Sequence, residues 1–206
     1  MKPDKMEIFT CDQGSDEWFA ARRGIPTASM FATVMASGKG GGESKTRRTY
    51  LLKLAGEILT EQPMENYSND DMQRGKDMED EIRRLYAFEH DAEIERVGFI
   101  MRGSMGCSPD GLIGKKRMLE IKSTKPHLLI DVHLRQEFPP EHKAQCQGNL
   151  WVAQREEIDI AIGWPKMPLY VQTIRRDEPY IAALAKAVDE FNIELAYVVQ
   201  QMRRLG

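Results

Sequence analysis

Two short β-type segments joined by a turn constrain most strongly what this chain can fold into. Residues 105–113 and 118–123 have the composition of strands, and Gly114-Lys115-Lys116 between them is typical of a hairpin turn. A hairpin lays its second strand antiparallel to the first. The sequence therefore predicts that residues about ten positions apart in this stretch meet on one sheet.

The polar side chains of this hairpin are placed to face each other. Side chains alternate faces along a strand, so Glu120 and Lys122 project from one face while Ile121 turns into the core. Pro109 cannot donate to a β-ladder, which places Asp110 at a bend or strand end with its carboxylate facing outward. The hairpin then brings Asp110 near Glu120.

Two carboxylates and a lysine on one face of a sheet predict a Mg²⁺ site. Hard oxygen ligands hold the cation, and the ammonium lies beside the water or phosphate that it must orient. The alternative is a surface hairpin with an ordinary Glu–Lys pair, because an isolated E-x-K pattern occurs in most proteins. The Pro-Asp pair about ten residues earlier on a β pattern favours the metal site.

Hydrophobic periodicity along the rest of the chain predicts one α/β domain. Helices are predicted over residues 15–22, 50–59, 71–89, 141–154 and 178–204. The apolar stripe of the last helix is Ile181, Leu184, Val188, Phe191, Leu195 and Val198. Strands are predicted over residues 93–101, 105–113, 118–123, 158–162 and 170–175. The 206 residues contain no internal repeat, which favours a single domain.

The distribution of charge says more about ligands than the net charge does. The formal net charge is −3, which alone disfavours a nucleic-acid-binding protein. Residues 20–55, however, carry seven basic side chains against one acidic, and residues 56–110 carry 14 acidic against six basic. A basic block beside an acidic block indicates a phosphate-binding surface beside a metal-binding one. An unevenly charged, solvated surface is the alternative.

Cysteine usage and hydropathy restrict the cellular compartment. Cys11, Cys107 and Cys146 are odd in number and widely spaced, so they predict neither a disulfide framework nor a tetrahedral zinc site. A reducing, cytoplasmic compartment is the simplest interpretation. No apolar run approaches the roughly 20 residues of a membrane span, and the polar start is not a signal peptide. We expect a soluble, intracellular protein.

Five motifs follow one another in a set order along the chain. They are an arginine and T-A-S at Arg22 and residues 27–29, G-x-x-x-E at residues 75–79, C-S-P-D-G at residues 107–111, E-I-K at residues 120–122, and A-Q-x-Q-x-x-x-W-V at residues 144–152. Their order and spacing over roughly residues 14–200 resemble the lambda-exonuclease (YqaJ-type viral recombinase) family. That family is a branch of the PD-(D/E)XK nuclease superfamily.

The resemblance implies an α/β, restriction-endonuclease-like fold, with a central mixed β-sheet flanked by helices. It implies a single exonuclease domain over residues 1–206. Within it, the PD-(D/E)XK core would span about residues 70–176, an N-terminal helical DNA-end-binding part about residues 14–62, and a C-terminal helix about residues 178–204.

The resemblance also implies an activity and its partners. The expected enzyme is a Mg²⁺-dependent 5′–3′ exonuclease that degrades one strand of linear double-stranded DNA to mononucleotides and leaves a 3′ single-stranded tail. It would use two ions, with Mn²⁺ as an alternative to Mg²⁺, and act at DNA ends as a homotrimer. A single-strand annealing recombination protein would receive the tail. The expected setting is the cytoplasm of a bacterial host, with the gene carried by a phage or prophage.

Carried over position by position, the resemblance implies the metal ligands. Asp110 and Glu120, with the Ile121 carbonyl, would ligate the catalytic metals, and Glu79 would complete the second metal position. Glu79 lies in a run of acidic residues that also fits a solvated helix face. Only the resemblance selects it, and Asp80 is the alternative.

The resemblance further assigns residues to the reaction and to the DNA end. Lys122 would orient or deprotonate the attacking water and stabilise charge on the scissile phosphate, and Gln145 would hydrogen-bond in the same centre, with Gln147 as the alternative. The family positions that hold the 5′-phosphate of the DNA end are Arg22, Ser29 and Ser108. A serine that caps its own helix is the alternative for Ser29.

Two other functions fit parts of this pattern. The first is a restriction-type endonuclease or junction resolvase of the same superfamily. The second is a catalytically silent DNA-end-binding accessory module, which the intact set of two acids and a lysine disfavours.

Overall fold

The computed structural model describes residues 5–42, 44–64 and 70–205 of the chain. The α-helices in these residues are α1 (Asp16–Arg22), α2 (Phe31–Val34), α3 (Lys45–Thr60), α4 (Asp70–Glu89), α5 (Pro126–Arg135), α6 (Lys143–Ala153) and α7 (Glu178–Arg203). The strands are β1 (Met6–Phe9), β2 (Ile94–Glu95), β3 (Phe99–Arg102), β4 (Met105–Cys107), β5 (Gly111–Ile113), β6 (Arg117–Ser123), β7 (Glu157–Gly163) and β8 (Tyr170–Arg175).

A mixed five-stranded sheet forms the centre of the fold, in the strand order β2-β5-β6-β7-β8. β6 and β7 run parallel, and the other neighbours are antiparallel. The predicted hairpin is confirmed, because β5 and β6 pair directly, with Gly111 opposite Leu119 and Ile113 opposite Arg117. The middle residues of β6 and nearly all of β7 are buried, as expected of central strands covered on both faces.

A second sheet of three strands, in the order β1-β3-β4, corrects two strand predictions. Residues 93–101 and 105–113 were each predicted as one strand, but each is divided between the two sheets. The second division falls at Ser108-Pro109-Asp110, because Pro109 has no N–H to continue the ladder. β1 was not predicted as a strand, and it pairs antiparallel with β3.

The two faces of the central sheet contact different helices. Leu119, Ile121 and Ala161 turn toward α4 and pack against its Ile82 and Tyr86. The opposite face belongs to the main core, to which α2, α3, α6 and α7 also contribute. Alternation along β6 therefore sends Glu120 and Lys122 toward α6, while Ile121 faces α4.

The C-terminal helix agrees with its prediction in all but one residue. The Asp177 side chain accepts a hydrogen bond from the Tyr180 N–H at 3.1 Å, which caps α7, and Pro179 lies in the first turn. The buried stripe ends at Val199, and the predicted Val198 is only partly buried, because about five turns of roughly 3.6 residues from Ile181 reach position 199. α5 was not predicted. Among the described residues, no helix is both long and apolar enough to cross a membrane.

Candidate active site

The turn between β4 and β5 fixes Asp110 beside β6. Its backbone N–H donates to the Leu119 carbonyl at 3.1 Å, and its Oδ2 accepts from the Ile121 N–H at 2.6 Å. The following Gly111 is required by close packing, since a Cβ there would lie 2.3 Å from Ile94 Cγ2. The carboxylate of Asp110 is therefore attached to the same strand that carries Glu120.

Two side chains from distant parts of the chain hold this turn from outside. The Arg83 Nε donates to the Asp110 carbonyl at 3.1 Å, from α4. The Gln13 Nε2 donates to the Pro109 carbonyl at 3.0 Å, from the segment before α1. The backbone of the turn is thus fixed from two directions, and the Asp110 carboxylate is held separately by the Ile121 N–H.

Glu120 is the most buried of the predicted acidic residues, at 2% exposure. Its Oε1 accepts from the Gln145 Nε2 at 2.5 Å and lies 2.8 Å from the Lys122 Nζ. Its Oε2 accepts from the Asn149 Nδ2 at 2.8 Å. A buried carboxylate is tolerated only when donors replace the lost water, and these three side chains supply them.

The Lys122 ammonium bridges the strand and α6. Its Nζ donates to the Gln145 Oε1 at 3.1 Å and pairs with Glu120. Burial alone would lower its pKa, but the charge and hydrogen bond of Glu120 and the charge of Asp110 outweigh it, so the pKa of Lys122 is raised. In the metal-free protein Lys122 is therefore a fixed cation rather than a free base.

Three carboxyl groups influence one another electrostatically at this end of the sheet. Burial raises the pKa of Asp110, and the charges of Glu120 and Glu79 raise it further. Burial also raises the pKa of Glu79, where Arg83 and Lys122 act in the opposite direction and Glu120 in the same one. Carboxylates that repel one another in this way form a site that a cation would stabilise.

Glu79 and Asp80 differ in their partners, although they are neighbours on α4. The Asp80 carboxylate forms an ion pair with Arg83 and lies 3.4 Å from Arg96. Glu79 and Asp110 line the same pocket of about 260 Å³. Asp80 also borders this pocket, but its charge is matched by arginines. The geometry thus favours Glu79 as the residue that joins the acidic centre.

Gln145 and Gln147 point to different parts of the fold. Gln145 contacts both Glu120 and Lys122. Gln147 is buried, donates to the Arg175 carbonyl and accepts from the Asp177 N–H, both at 2.8 Å. It therefore connects the end of β8 to the start of α7 and lies outside the acidic centre.

The donor set fits Mg²⁺ by its chemistry. Within the described residues, no group of three or more His, Cys, Asp and Glu side chains is gathered around a common point that could hold a metal ion. Mg²⁺ nevertheless binds through one or two carboxylates plus waters and substrate phosphates. Asp110, Glu120 and the Ile121 carbonyl supply hard oxygen donors, and the mutual repulsion of the carboxyl groups gives the cation a role.

The three predicted phosphate-binding residues are brought together only in part. Arg22 and Ser29 line a common pocket of about 160 Å³, together with Lys53 of α3. Ser108 is not among the lining residues of that pocket, and its Oγ accepts from the Trp18 Nε1 at 2.9 Å. The guanidinium of Arg22 lies over the Trp18 ring at 4.0 Å. Trp18 therefore connects Ser108 with Arg22.

Comparison with known protein families now identifies the chain. The YqaJ-like viral recombinase domain matches residues 17–156, which include both carboxylates, the lysine and Gln145. The chain belongs to the YqaJ-like viral recombinase family.

Several solved structures similar to this YqaJ-like chain are of exonucleases. An alkaline exonuclease from Laribacter hongkongensis is 29% identical with a TM-score of 0.83, and the match covers 92% of this chain and 97% of that one. The same enzyme in complex with dAMP matches at 30% identity, with the same coverage and TM-score. A phage-related exonuclease from Haemophilus somnus, at 12% identity, a TM-score of 0.66 and coverage of 86% and 96%, shows similarity of fold alone.

Comparison with curated protein sequences gives no significant match. The family and structural matches confirm the predicted family, the restriction-endonuclease-like fold class and the exonuclease class of enzyme.

Three residues of this YqaJ-like site were missed by sequence reasoning. They are Asn149 beside Glu120, Arg83 behind Asp110, and Trp18 beneath Arg22. Each lies four positions along a helix from a predicted site residue, a spacing that puts two side chains on one helix face. That spacing is the signal that would have found them.

Proposed function

We propose that this protein is a Mg²⁺-dependent 5′–3′ exonuclease that acts on linear double-stranded DNA. It would release mononucleotides from one strand and leave a 3′ single-stranded tail for recombination. Membership of the YqaJ-like family and the similarity to alkaline exonucleases support nuclease function. To this supported nuclease function the proposal adds the 5′–3′ direction, the dependence on Mg²⁺ and the release of mononucleotides.

One observation carries the proposal more than any other. Glu120, Lys122 and Gln145 meet at hydrogen-bonding distances on β6 and α6, and Asp110 is bonded to the same strand. Two acids and a fixed ammonium in one place suit the hydrolysis of a phosphodiester. A silent DNA-end-binding module would have no need of this arrangement.

Asp110, Glu120 and the Ile121 carbonyl would hold the metal ions, and Glu79 would contribute to the second of two positions. When bound, the two divalent cations, Mg²⁺ or Mn²⁺, supply the electrostatic stabilisation of the attacking and leaving oxygens. The protein contributes a buried Glu120 that three side chains fix in place, so its carboxylate needs no reorganisation during the reaction.

Lys122 and Gln145 would act on the groups that react. The Lys122 ammonium lies 2.8 Å from Glu120, where it can donate to a water or to the oxygens of the scissile phosphate. Gln145 accepts from Lys122 and donates to Glu120, so it holds both in a defined orientation. Donation by Lys122 to a water or to the phosphate does not require the lysine to lose its proton before DNA binds.

Arg22, Ser29 and Ser108 would bind the terminal 5′-phosphate. A guanidinium and hydroxyl groups suit a phosphate dianion, and the shared pocket of Arg22 and Ser29 provides the space. Ser108 immediately precedes Pro109 and Asp110, so contact with the DNA end would occur next to the acidic centre.

The proposal extends to partners and setting. The protein would bind double-stranded DNA ends as a homotrimer, pass the 3′ tail to a single-strand annealing recombination protein, and act in the cytoplasm of a bacterium that carries a phage or prophage. The division into an end-binding part at about residues 14–62, a core at about 70–176 and a C-terminal helix at about 178–204 stays a prediction.

The direct test uses linear duplex DNA in which one strand carries different labels at its two ends. With Mg²⁺, we expect the 5′ label to appear first as mononucleotide and the 3′ label to stay in long fragments. Release of the 3′ label first would contradict the polarity. Covalently closed circular DNA is the control, because cleavage of circles would indicate an endonuclease or resolvase instead.

A further inference from the structure

Asn149 is a buried polar residue in the second turn of α6. Its side chain is 1% exposed. Its Nδ2 donates to the Glu120 Oε2 at 2.8 Å. The other oxygen of the same carboxylate receives Gln145 and Lys122. Asn149 therefore contacts Oε2, the carboxylate oxygen that Gln145 and Lys122 do not contact.

Spacing along α6 explains how one helix contacts both oxygens. Gln145 and Asn149 are four positions apart, so their amides lie one turn from each other on the same helix face. Between them, Gly148 lets the helix pack closely, because a Cβ there would lie 2.5 Å from Phe31 Cδ2. Close packing at Gly148 restrains rotation of α6, and the two amides keep their positions relative to β6.

Two donors on opposite oxygens define the plane of a carboxylate. With Gln145 and Lys122 alone, both on Oε1, the Glu120 group could turn about its terminal bond and still keep contacts with one oxygen. With Asn149 on Oε2, turning breaks a buried hydrogen bond, which is unfavourable because no water replaces it. The orientation of the Oε1 lone pairs is then fixed toward Lys122.

We propose that Asn149 is a positioning residue that fixes the orientation of Glu120 for binding of the divalent cation. The inference rests on the proposed function, since it gives Glu120 the role of a metal ligand. Asn149 itself contacts neither the metal nor the DNA in this scheme, and it acts through Glu120. Residues that hold a metal ligand in this way commonly change metal affinity or activity by about 10- to 100-fold when they are replaced.

The test compares Asn149→Leu with a matched control on the same helix. Leucine has the same branching of side-chain heavy atoms, but it is larger and cannot donate a hydrogen bond. Gln147→Leu also removes a buried amide from α6. That amide binds the Arg175 carbonyl and the Asp177 N–H, and neither hydrogen bond involves Glu120. Mn²⁺ binding to the DNA-free protein is measured by titration calorimetry, and the Mg²⁺ dependence of nucleotide release is measured on linear duplex DNA.

We expect Asn149→Leu to weaken Mn²⁺ binding by about 10-fold or more and to shift the Mg²⁺ dependence by the same factor. Gln147→Leu should leave the Mn²⁺ affinity and the Mg²⁺ dependence unchanged, even where its Tm falls as much as that of Asn149→Leu. Asn149→Ala is the second variant, because it removes the donor without adding bulk. It should weaken Mn²⁺ binding by a similar factor, and it keeps the test valid where the leucine does not fit.

Unchanged Mn²⁺ affinity in folded Asn149→Leu or Asn149→Ala would overturn the inference, as would an equal loss in Gln147→Leu. Wild-type protein that releases nucleotides with Mg²⁺ establishes the proposed function separately from either result. Wild-type protein that neither binds Mn²⁺ nor releases nucleotides would refute the proposed function, and the inference with it.

Discussion

The acidic centre on β6 and the Arg22 pocket beside α3 differ in how their polar groups are fixed. Glu120 is 2% exposed and receives donors from β6 and α6, so its carboxylate has one orientation. Ser29 and Lys53 in the Arg22 pocket are exposed, and Arg22 lies on the face of Trp18. One region is pre-organised by burial, and the other lies open to solvent.

This difference matches the chemistry that each region would perform. Groups that stabilise developing charge are most effective when they are fixed and shielded from water before the substrate arrives. A site that must admit a DNA end again after each nucleotide has to be open. Trp18 connects the two, since its indole contacts both Ser108 next to Pro109 and the Arg22 guanidinium.

The largest effect is expected from removing groups of the acidic centre. Asp110→Ala and Lys122→Ala should each reduce nucleotide release from linear duplex DNA by at least about 10²- to 10³-fold, the effect of losing one pre-organised electrostatic group. Binding to DNA ends should persist, because the Arg22 pocket is untouched. Rates with a 5′-labelled duplex and binding by gel shift measure the two properties.

Lys116→Ala is the matched control for the lysine, since Lys116 lies in the same hairpin with its side chain 70% exposed and pairs with Glu156. Its rate should stay close to that of the wild type. Full activity in either Asp110→Ala or Lys122→Ala would show that the acidic centre is not where hydrolysis occurs.

A smaller and more selective effect is expected at the open pocket. Arg22→Ala should lower kcat/KM on 5′-phosphorylated ends by about 10- to 100-fold, since a hydrogen bond to a charged group contributes about 1.5–3 kcal/mol. Ends with a 5′-hydroxyl should be affected much less. Arg23→Ala is the control, because Arg23 is exposed and binds the Glu61 carbonyl. An equal loss on both kinds of end would contradict a phosphate-specific role.

The smallest effect concerns stability and its dependence on pH. The pKa of Asp110 is raised in the folded protein by burial and by the charges of Glu120 and Glu79. Between the ordinary carboxyl pKa of about 4 and the raised pKa of the folded state, the folded chain therefore binds more protons than the unfolded chain. The free energy of unfolding contributed by this group falls as pH rises through the folded-state pKa.

Asp110→Asn should consequently raise the Tm of the metal-free protein at pH 8 by a few degrees, where roughly 1 kcal/mol corresponds to about 2–4 °C. The amide oxygen can still accept from the Ile121 N–H, so the turn is kept. The gain should shrink toward pH 4, while exposed Asp189→Asn on α7 should change little at either pH. A lower Tm for Asp110→Asn at pH 8 would contradict repulsion within the acidic centre.

The central strands and the long helices could be predicted because their patterns are local. Alternation along residues 118–123 and the stripe from Ile181 to Leu195 identify β6 and α7 directly. The second sheet could not be predicted. β4 has three residues, which is too short for a periodicity, and β1 becomes a strand only because β3 lies beside it.

The candidate site divides in the same way. Asp110, Glu120 and Lys122 follow from one hairpin, whereas Glu79 and Gln145 came only from the family resemblance. The only sequence signal for Asn149 is its four-residue spacing from Gln145, and this spacing becomes informative only once Gln145 is assigned to the site. The Trp18–Ser108 hydrogen bond joins residues 90 positions apart, and only the folded chain brings them together.

The most direct test of this account measures nucleotide release from linear duplex DNA with 5′-phosphate or 5′-hydroxyl ends, each with Mg²⁺ and with EDTA. The account predicts rapid release from phosphorylated ends with Mg²⁺, slower release from hydroxyl ends, and none with EDTA. Equal rates on the two ends would contradict the end-binding role of the Arg22 pocket. Release in EDTA would contradict the metal-dependent centre at Asp110 and Glu120.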